Sequence, residues 1–174
     1  HRNFKSRRQS LLVVYATRGH TAIEFVSGRY SVFVCDSGLY SAPKKIHFAT
    51  SGFRLKHGIS HTLYTHWGAD EVTTHWFIKK RDFICFKGKL LLNIDGEAGV
   101  LTDQLPMEPR WVVPYRNVTP DILQDGPVFR GSTVLPHSSI PPWERASWQK
   151  ACMEAGIEYH DPVEKGAYIC SGMN

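Results

Sequence analysis

The chain has 174 residues, of which 42% are apolar and 21% are charged. This length and balance predict one globular domain with a hydrophobic core, and they exclude a disordered or fibrous chain. No apolar run approaches the roughly 20 residues that cross a bilayer, so the sequence predicts no membrane insertion. The formal net charge of +5 favours an anionic partner, either nucleic acid or an acidic protein surface.

The first ten residues are polar and basic and show no periodicity, which predicts a flexible basic arm over residues 1–10. The remainder, residues 11–174, is predicted to form the single domain. Three apolar stretches predict the first strands, at residues 10–17, 21–26 and 30–35. The turn residues Ser-Gly-Arg at 27–29 separate the last two stretches and predict a β-hairpin.

The region before the middle of the chain gives a weaker pattern. Pro43 cannot donate to a strand ladder, so an irregular connection is expected around it. Residues 45–50 alternate between polar and apolar side chains, which predicts another strand. Residues 53–60 fit neither a helix nor a strand well, because Gly58 weakens both.

The middle of the chain, residues 53–101, has the pattern of a β-meander. Aromatic and β-branched runs alternate there with turn residues, and the runs cover residues 61–67, 72–80, 83–86 and 89–94. Asp95-Gly96 is the strongest turn, because a tight hairpin needs a positive φ that this pair adopts readily. With the earlier strands, the pattern predicts a mostly antiparallel sheet of about seven to nine strands over residues 11–102.

The last third of the chain changes in composition. Prolines recur over residues 103–141, so we predict a connection without long regular elements that wraps around the sheet. Residues 142–156 carry apolar side chains at helical spacing and end in Gly156, which predicts one C-terminal amphipathic helix. A closing segment of short strands covers residues 157–174. The predicted fold class is a β-rich α+β single domain.

Cations and aromatic rings alternate along part of the meander. Single-stranded nucleic-acid binders use this layout, because rings stack on bases and cations follow the phosphates. The predicted nucleic-acid-binding residues are Trp76, Lys79, Lys80, Arg81, Phe83, Lys87 and Lys89. Aromatic residues on strands also commonly face a core. Binding of single-stranded nucleic acid, without catalysis, is the leading functional interpretation.

A protein partner is the alternative interpretation. The chain has five tryptophans, and tryptophan often anchors protein interfaces. Trp111 and Trp143 define a predicted Trp- and Pro-rich docking strip, and Trp143 is expected to be exposed because it lies off the apolar stripe of the helix. On this interpretation the chain is an accessory or antagonist protein that acts by contact with another protein. Viral proteins of this kind are included in the interpretation.

The histidines suggest a third interpretation, a hydrolase or nuclease. His137 and His160 flank the C-terminal helix and could act as general bases, but no nucleophile or phosphate-binding motif accompanies them. The candidates for a zinc site are His57, His61, His66 and His75. Their spacing matches no standard zinc pattern, so the sequence predicts no metal and no other cofactor.

Four cysteines lie among apolar neighbours, and none is part of a CxxC pair. They are Cys35, Cys85, Cys152 and Cys170. This setting predicts buried, reduced thiols and favours an intracellular location.

Overall fold

Two mixed β-sheets face each other in the computed structural model, which describes residues 8–95, 105–124 and 127–173. The first sheet contains β1 (Ser10–Val14), β2 (Ala22–Ser27), β3 (Tyr30–Cys35), β4 (His61–His66) and β12 (Tyr168–Ser171). Its strand order is β12-β1-β2-β3-β4, and only the β3–β4 pair is parallel. The predicted hairpin of β2 and β3 is confirmed, and Gly28 in its turn has a φ of 62°.

The second sheet has seven strands. They are β5 (Val72–Thr73), β6 (Phe77–Lys80), β7 (Phe83–Phe86), β8 (Lys89–Ile94), β9 (Pro109–Pro114), β10 (Thr133–Val134) and β11 (Glu158–Tyr159). Strands β5 to β8 form an antiparallel meander, as predicted for residues 72–94, whereas β8 to β11 pair in parallel. The predicted meander was too long at its start, because residues 61–66 form β4 of the first sheet, parallel to β3. Parallel neighbours require crossover connections, which the later part of the chain supplies.

Four helices and two short 3-10 helices complete the described elements. The helices are α1 (Ser37–Tyr40), α2 (Pro43–His57), α3 (Pro142–Ala155) and α4 (Pro162–Lys165), and the 3-10 helices are Pro120–Gln124 and Pro127–Phe129. Helix α3 confirms the predicted C-terminal helix, and Gly156 ends it with a φ of 68°. Among the described residues, no helix combines the length and the apolarity that a membrane span requires.

The elements stack in four layers, α/β/β/α. Between the sheets, Phe25 of the first sheet meets Phe77 of the second with ring centroids 5.1 Å apart. Helix α2 packs on the outer face of the first sheet through Ile46. Helix α3 packs on the outer face of the second sheet through Trp148 and Cys152. The β-rich α+β fold class is therefore confirmed, with two sheets in place of the single sheet that the pattern suggested.

The predicted strand at residues 45–50 is wrong, because these residues lie inside α2. Pro43 occupies the first turn of the helix, where its missing N–H costs nothing. Ile46, Thr50 and Phe53 follow at intervals of four and three and face the first sheet, and the first two are buried. Gly58 ends the helix with a φ of 66°. Six alternating residues are too few to distinguish a strand from one face of a helix.

The proline-rich connection supplies a central strand as well as a wrap. Strand β9 pairs with β8 on one side and β10 on the other, and its two prolines, Pro109 and Pro114, lie at its first and last positions.

Of the predicted basic arm, residues 1–7 lie outside the described residues, whereas Ser10 already pairs in β1. Gly96 of the predicted Asp95-Gly96 turn also lies outside them.

Candidate functional site

The seven predicted nucleic-acid-binding residues do not share one open face. Lys79 lies two residues after Phe77 on β6, so both side chains lie on the same face of the sheet. This face is the one that packs against the other sheet. Lys79 is 0% exposed, and its Nζ donates to the Ala69 carbonyl at 2.9 Å. Burial lowers the pKa of this ammonium group. Lys79 is therefore a structural residue and is not accessible to a strand of nucleic acid.

The two aromatic members of this set are also engaged in packing. Trp76 is half-buried against the intersheet core, with its ring edge-on to Phe86 at 5.8 Å between centroids. Phe83 is half-buried against the cluster beneath α3. The inner face of the second sheet is covered by the first sheet, and Phe83 packs against the cluster beneath α3, so these two rings do not form an open stacking platform.

The remaining four cations of the set are exposed. Lys80 forms an ion pair with Glu71 at 3.7 Å, and Arg81 lies beside carboxylates in a cleft described below. Lys87 and Lys89 flank the turn between β7 and β8. These side chains remain candidates for phosphate contacts, but no exposed ring accompanies them in the set.

A different part of the chain brings cations and an exposed ring together. From residue 37 to residue 69 the sequence contains no Asp or Glu, whereas it contains Lys44, Lys45, Arg54 and Lys56. Arg54 is neutralised by Glu24 at 2.9 Å, but the three lysines are exposed and make no ion pair within the described residues. This long acid-free run is visible in the sequence, whereas the pattern of strands alone does not indicate it.

The exposed side of α2 borders a pocket of about 670 Å³, which we call the basic pocket. Its main lining residues are Tyr15, Arg18, Leu39, Lys44, Lys45 and Phe48. Tyr15 and Leu39 are buried and form apolar walls, and Phe48 is 88% exposed at the edge. Arg18, Lys44 and Lys45 lie on the exposed rim. The pocket thus combines flat and apolar surface with positive charge.

A histidine–carboxylate pair fixes the side of the basic pocket next to α1. His20 lines the pocket and donates through Nδ1 to Asp36 at 3.0 Å. Asp36 also accepts from the backbone N–H groups of Thr21 and Leu39, both at 2.9 Å. Burial alone would raise the pKa of this carboxyl, but the hydrogen bonds from Leu39, His20 and Thr21 outweigh it and hold the pKa below its usual value. The carboxylate therefore accepts three hydrogen bonds from this wall of the pocket.

A second opening at the same end of the sandwich has the opposite charge. This acidic cleft, of about 430 Å³, is lined by four carboxylates together with Arg81 and Tyr115. The carboxylates belong to Asp70, Glu71, Asp82 and Asp95. Two buried atoms on its walls, Trp67 Nε1 and Asn93 Oδ1, have no protein hydrogen-bond partner among the described residues.

The four histidines that were weighed as candidates for a zinc site make separate contacts. His57 stacks on Phe53, His61 stacks on Tyr30, and His66 contacts the ring of Tyr40. His75 is exposed near the start of β6. Within the described ranges, no group of three His, Cys, Asp or Glu side chains is arranged to hold a metal ion.

His137 and His160 occupy structural positions. His137 is 6% exposed and stacks on Tyr115 with centroids 3.7 Å apart, and burial lowers its pKa to about 4. Its Nδ1 contacts the Ser139 hydroxyl at 2.8 Å, whereas its Nε2 has no described partner. His160 donates through Nε2 to the Gly166 carbonyl at 2.8 Å. Neither histidine lines the basic pocket or the acidic cleft.

The predicted partner-binding tryptophans differ in exposure. Trp111 is 0% exposed and belongs to the intersheet core, so it cannot form part of an exposed docking strip. Trp143 is 72% exposed on the outer side of α3, as predicted.

The four cysteines are free. Burial raises the pKa of the Cys35 and Cys152 thiols to about 12, so both are protonated at neutral pH.

Comparison with known proteins gives one result that covers nearly the whole chain. The family model described as the ComEC C-terminal domain matches residues 12–172. This indicates a DNA-uptake-related domain and is compatible with nucleic-acid handling. No curated protein and no solved structure matches the chain. The chain belongs to the family of ComEC C-terminal domains.

Proposed function

We propose that this domain binds single-stranded DNA through the basic pocket and the adjoining exposed side of α2. The observation that carries the proposal is Phe48, which is 88% exposed beside Lys44 and Lys45 in a stretch without any carboxylate. An accessible ring next to cations is the arrangement that single-strand binders use to stack a base and hold its phosphates. Membership of a DNA-uptake-related family supports DNA as that ligand.

The charge distribution supports contact with a phosphate backbone. Arg18, Lys44 and Lys45 surround the pocket, and Lys56 lies further along α2 on the exposed side. The nearby carboxylates are occupied, since Glu24 holds Arg54 and Asp36 holds His20. Positive charge without competing negative charge attracts a polyanion and releases its counterions on binding.

The exposed aromatic side chain supports single strands over duplex. Bases in a single strand can leave the stack and lie on a protein ring, and each such contact contributes about 1–3 kcal/mol. Phe48 has the exposure that this contact requires, unlike Trp76 and Phe83 of the meander. The predicted cations Lys80, Arg81, Lys87 and Lys89 lack such a ring and serve as the comparison surface.

The test is a fluorescence anisotropy titration of a labelled oligothymidylate. With three or four phosphate contacts, the affinity should fall about 20- to 50-fold between roughly 50 and 200 mM salt. The double variant Lys44→Glu/Lys45→Glu should lose most of the affinity at low salt, and its salt dependence should become shallower.

The matched control is Lys87→Glu/Lys89→Glu, which makes the same charge change on the other side of the molecule. Binding close to that of the unaltered protein is expected for this control. Equal losses in both double variants would indicate only an effect of net charge, and a loss confined to the control would transfer the site to the meander.

A second candidate function is contact with another protein through the outer side of α3. The observation that favours it is the 72% exposure of Trp143, with exposed Lys150 and Met153 further along the same helix. Trp143→Ala should weaken such a contact at least tenfold while leaving thermal unfolding unchanged. A large loss of stability in this variant would contradict the assignment, because the side chain would then be part of the core.

A further inference from the structure

We propose that the basic pocket is a base-binding site, which accepts one unstacked nucleobase of the bound strand while the rim holds the flanking phosphates. This inference rests on the proposed function and goes beyond it, because an exposed ring and surface lysines would bind a strand without any insertion. The difference lies in the pocket behind Phe48 and in what forms its walls.

The size of the pocket suits a nucleotide. Its volume of about 670 Å³ lies within the range of roughly 300–1,000 Å³ that is typical of small-molecule sites. The deep walls are apolar, since Leu39 and Tyr15 are buried and Ala49 is half-buried between them and the rim. The Tyr15 hydroxyl already donates to Glu24, so this residue offers its ring surface to a ligand.

The rim supplies the charge that a nucleotide needs. Lys44 and Lys45 come from the first turn of α2, and Arg18 comes from the turn between β1 and β2 on another side of the opening. Cations on two separate elements can hold phosphates on both sides of one inserted base. No Asp or Glu is among the residues that line this pocket.

One polar group inside the pocket can address the edge of a base. His20 uses Nδ1 for its bond to Asp36, which leaves Nε2 for a ligand. The carboxylate fixes the ring orientation because it also holds Leu39 and Thr21 by their backbone N–H groups. A few oriented polar groups among apolar walls are the usual composition of a specific small-molecule site.

Hydrogen bonds within the protein hold the turn that carries His20 without any ligand. Thr17 Oγ1 donates to the His20 carbonyl at 2.7 Å within the turn. The same turn is tied to the loop before α3, where the Ser138 N–H donates to Thr21 Oγ1 at 2.9 Å. A preformed site loses little conformational entropy on binding, so a single base can contribute measurably.

The experiment compares two labelled strands of equal length and equal charge, an ordinary oligothymidylate and one in which every residue is abasic. Both keep the phosphates, but only the first has bases. The unaltered protein should bind the ordinary strand about five- to 150-fold more tightly, which is the range expected for stacking of one base. Unlabelled thymidine monophosphate in excess should reduce this preference.

Two variants test whether the preference comes from the pocket. Ala49→Leu narrows the pocket without adding a ring and should reduce the preference, while affinity for the abasic strand is unchanged. Phe48→Ala removes an exposed side chain and should reduce the preference without affecting folding. The control is Leu55→Ala, at a position that is 80% exposed on the same helix outside the pocket, and it should keep the preference.

The outcomes separate this inference from the function on which it rests. Equal, salt-sensitive binding of both strands by the unaltered protein would overturn the base-binding site and leave DNA binding intact. The same holds if Ala49→Leu folds normally and retains the full preference. Failure to bind either strand at low salt would overturn the proposed function together with the inference.

Discussion

The basic pocket and the acidic cleft open at the same end of the sandwich, yet they have opposite charge. The ends of the strands bring them close together, since the Trp67 N–H on the cleft side donates to the Cys35 carbonyl, one residue before Asp36. The pocket has three exposed cations on its rim, whereas the cleft has four carboxylates and one arginine. A polyanion approaching this end is therefore attracted to one opening and repelled by the other.

The difference in charge between the two openings follows from the segregation of acidic residues along the chain. The pocket is built largely from the acid-free run and the turn before β2, whereas the cleft takes its carboxylates from the segments that follow. Overall net charge does not distinguish the two openings. The distribution of Asp and Glu among neighbouring loops does.

The largest expected effect concerns the histidine behind the cleft. Burial lowers the pKa of His137 from 6.5 to about 4, so the unfolded chain binds a proton at a higher pH than the folded protein does. The stabilisation is complete above the ordinary pKa and is lost as the pH falls from about 6.5 to about 4. We expect the free energy of unfolding to decrease by up to about 3 kcal/mol over this range, measured by urea denaturation at each pH.

The variant His137→Phe keeps a ring against Tyr115 and should remove most of this pH dependence. His57, whose pKa is also lowered by burial, contributes in the same direction and accounts for part of what remains. The Asp36 contribution is lost only near and below its ordinary value of 3.8. The control is exposed His75→Ala, which should leave the slope unchanged, and an unaltered slope in His137→Phe would contradict the assignment.

A smaller effect is expected from neutralising the cleft. Glu71→Gln/Asp82→Asn removes two negative charges from the repelling side and should increase the affinity for oligothymidylate about two- to threefold at low salt. The gain should disappear at high salt, because the screened interaction acts over a distance. A gain that persists at high salt would mean that the strand contacts the cleft directly.

The sequence carried enough information for the fold class and for part of the architecture. Helix α3 was predictable because Trp148 and Cys152 repeat at helical spacing before Gly156. The meander was predictable because each strand is bounded by turn residues. The four-layer arrangement was not, since nothing local in the sequence states that β4 pairs in parallel with β3 or that α2 covers that sheet.

The candidate site was harder to predict for a physical reason. Alternation along β6 puts Lys79 on the same side as Phe77, but the pattern does not reveal that this side is covered by a second sheet. The exposure of Phe48 was equally hidden. Residues 45–50 alternate as a short strand would, and on such a strand Phe48 would be expected to face the core. The missing carboxylates between Asp36 and Asp70 were the usable signal.

The most direct test of the central claim is nuclear magnetic resonance mapping of an isotope-labelled protein titrated with oligothymidylate at low salt. The account predicts that the largest shifts occur for the backbone amides of Arg18, His20 and the first two turns of α2, while those of Asp82, Asn93 and Asp95 in the acidic cleft change little. Shifts concentrated at the cleft or along β6 to β8, with α2 unaffected, would contradict it.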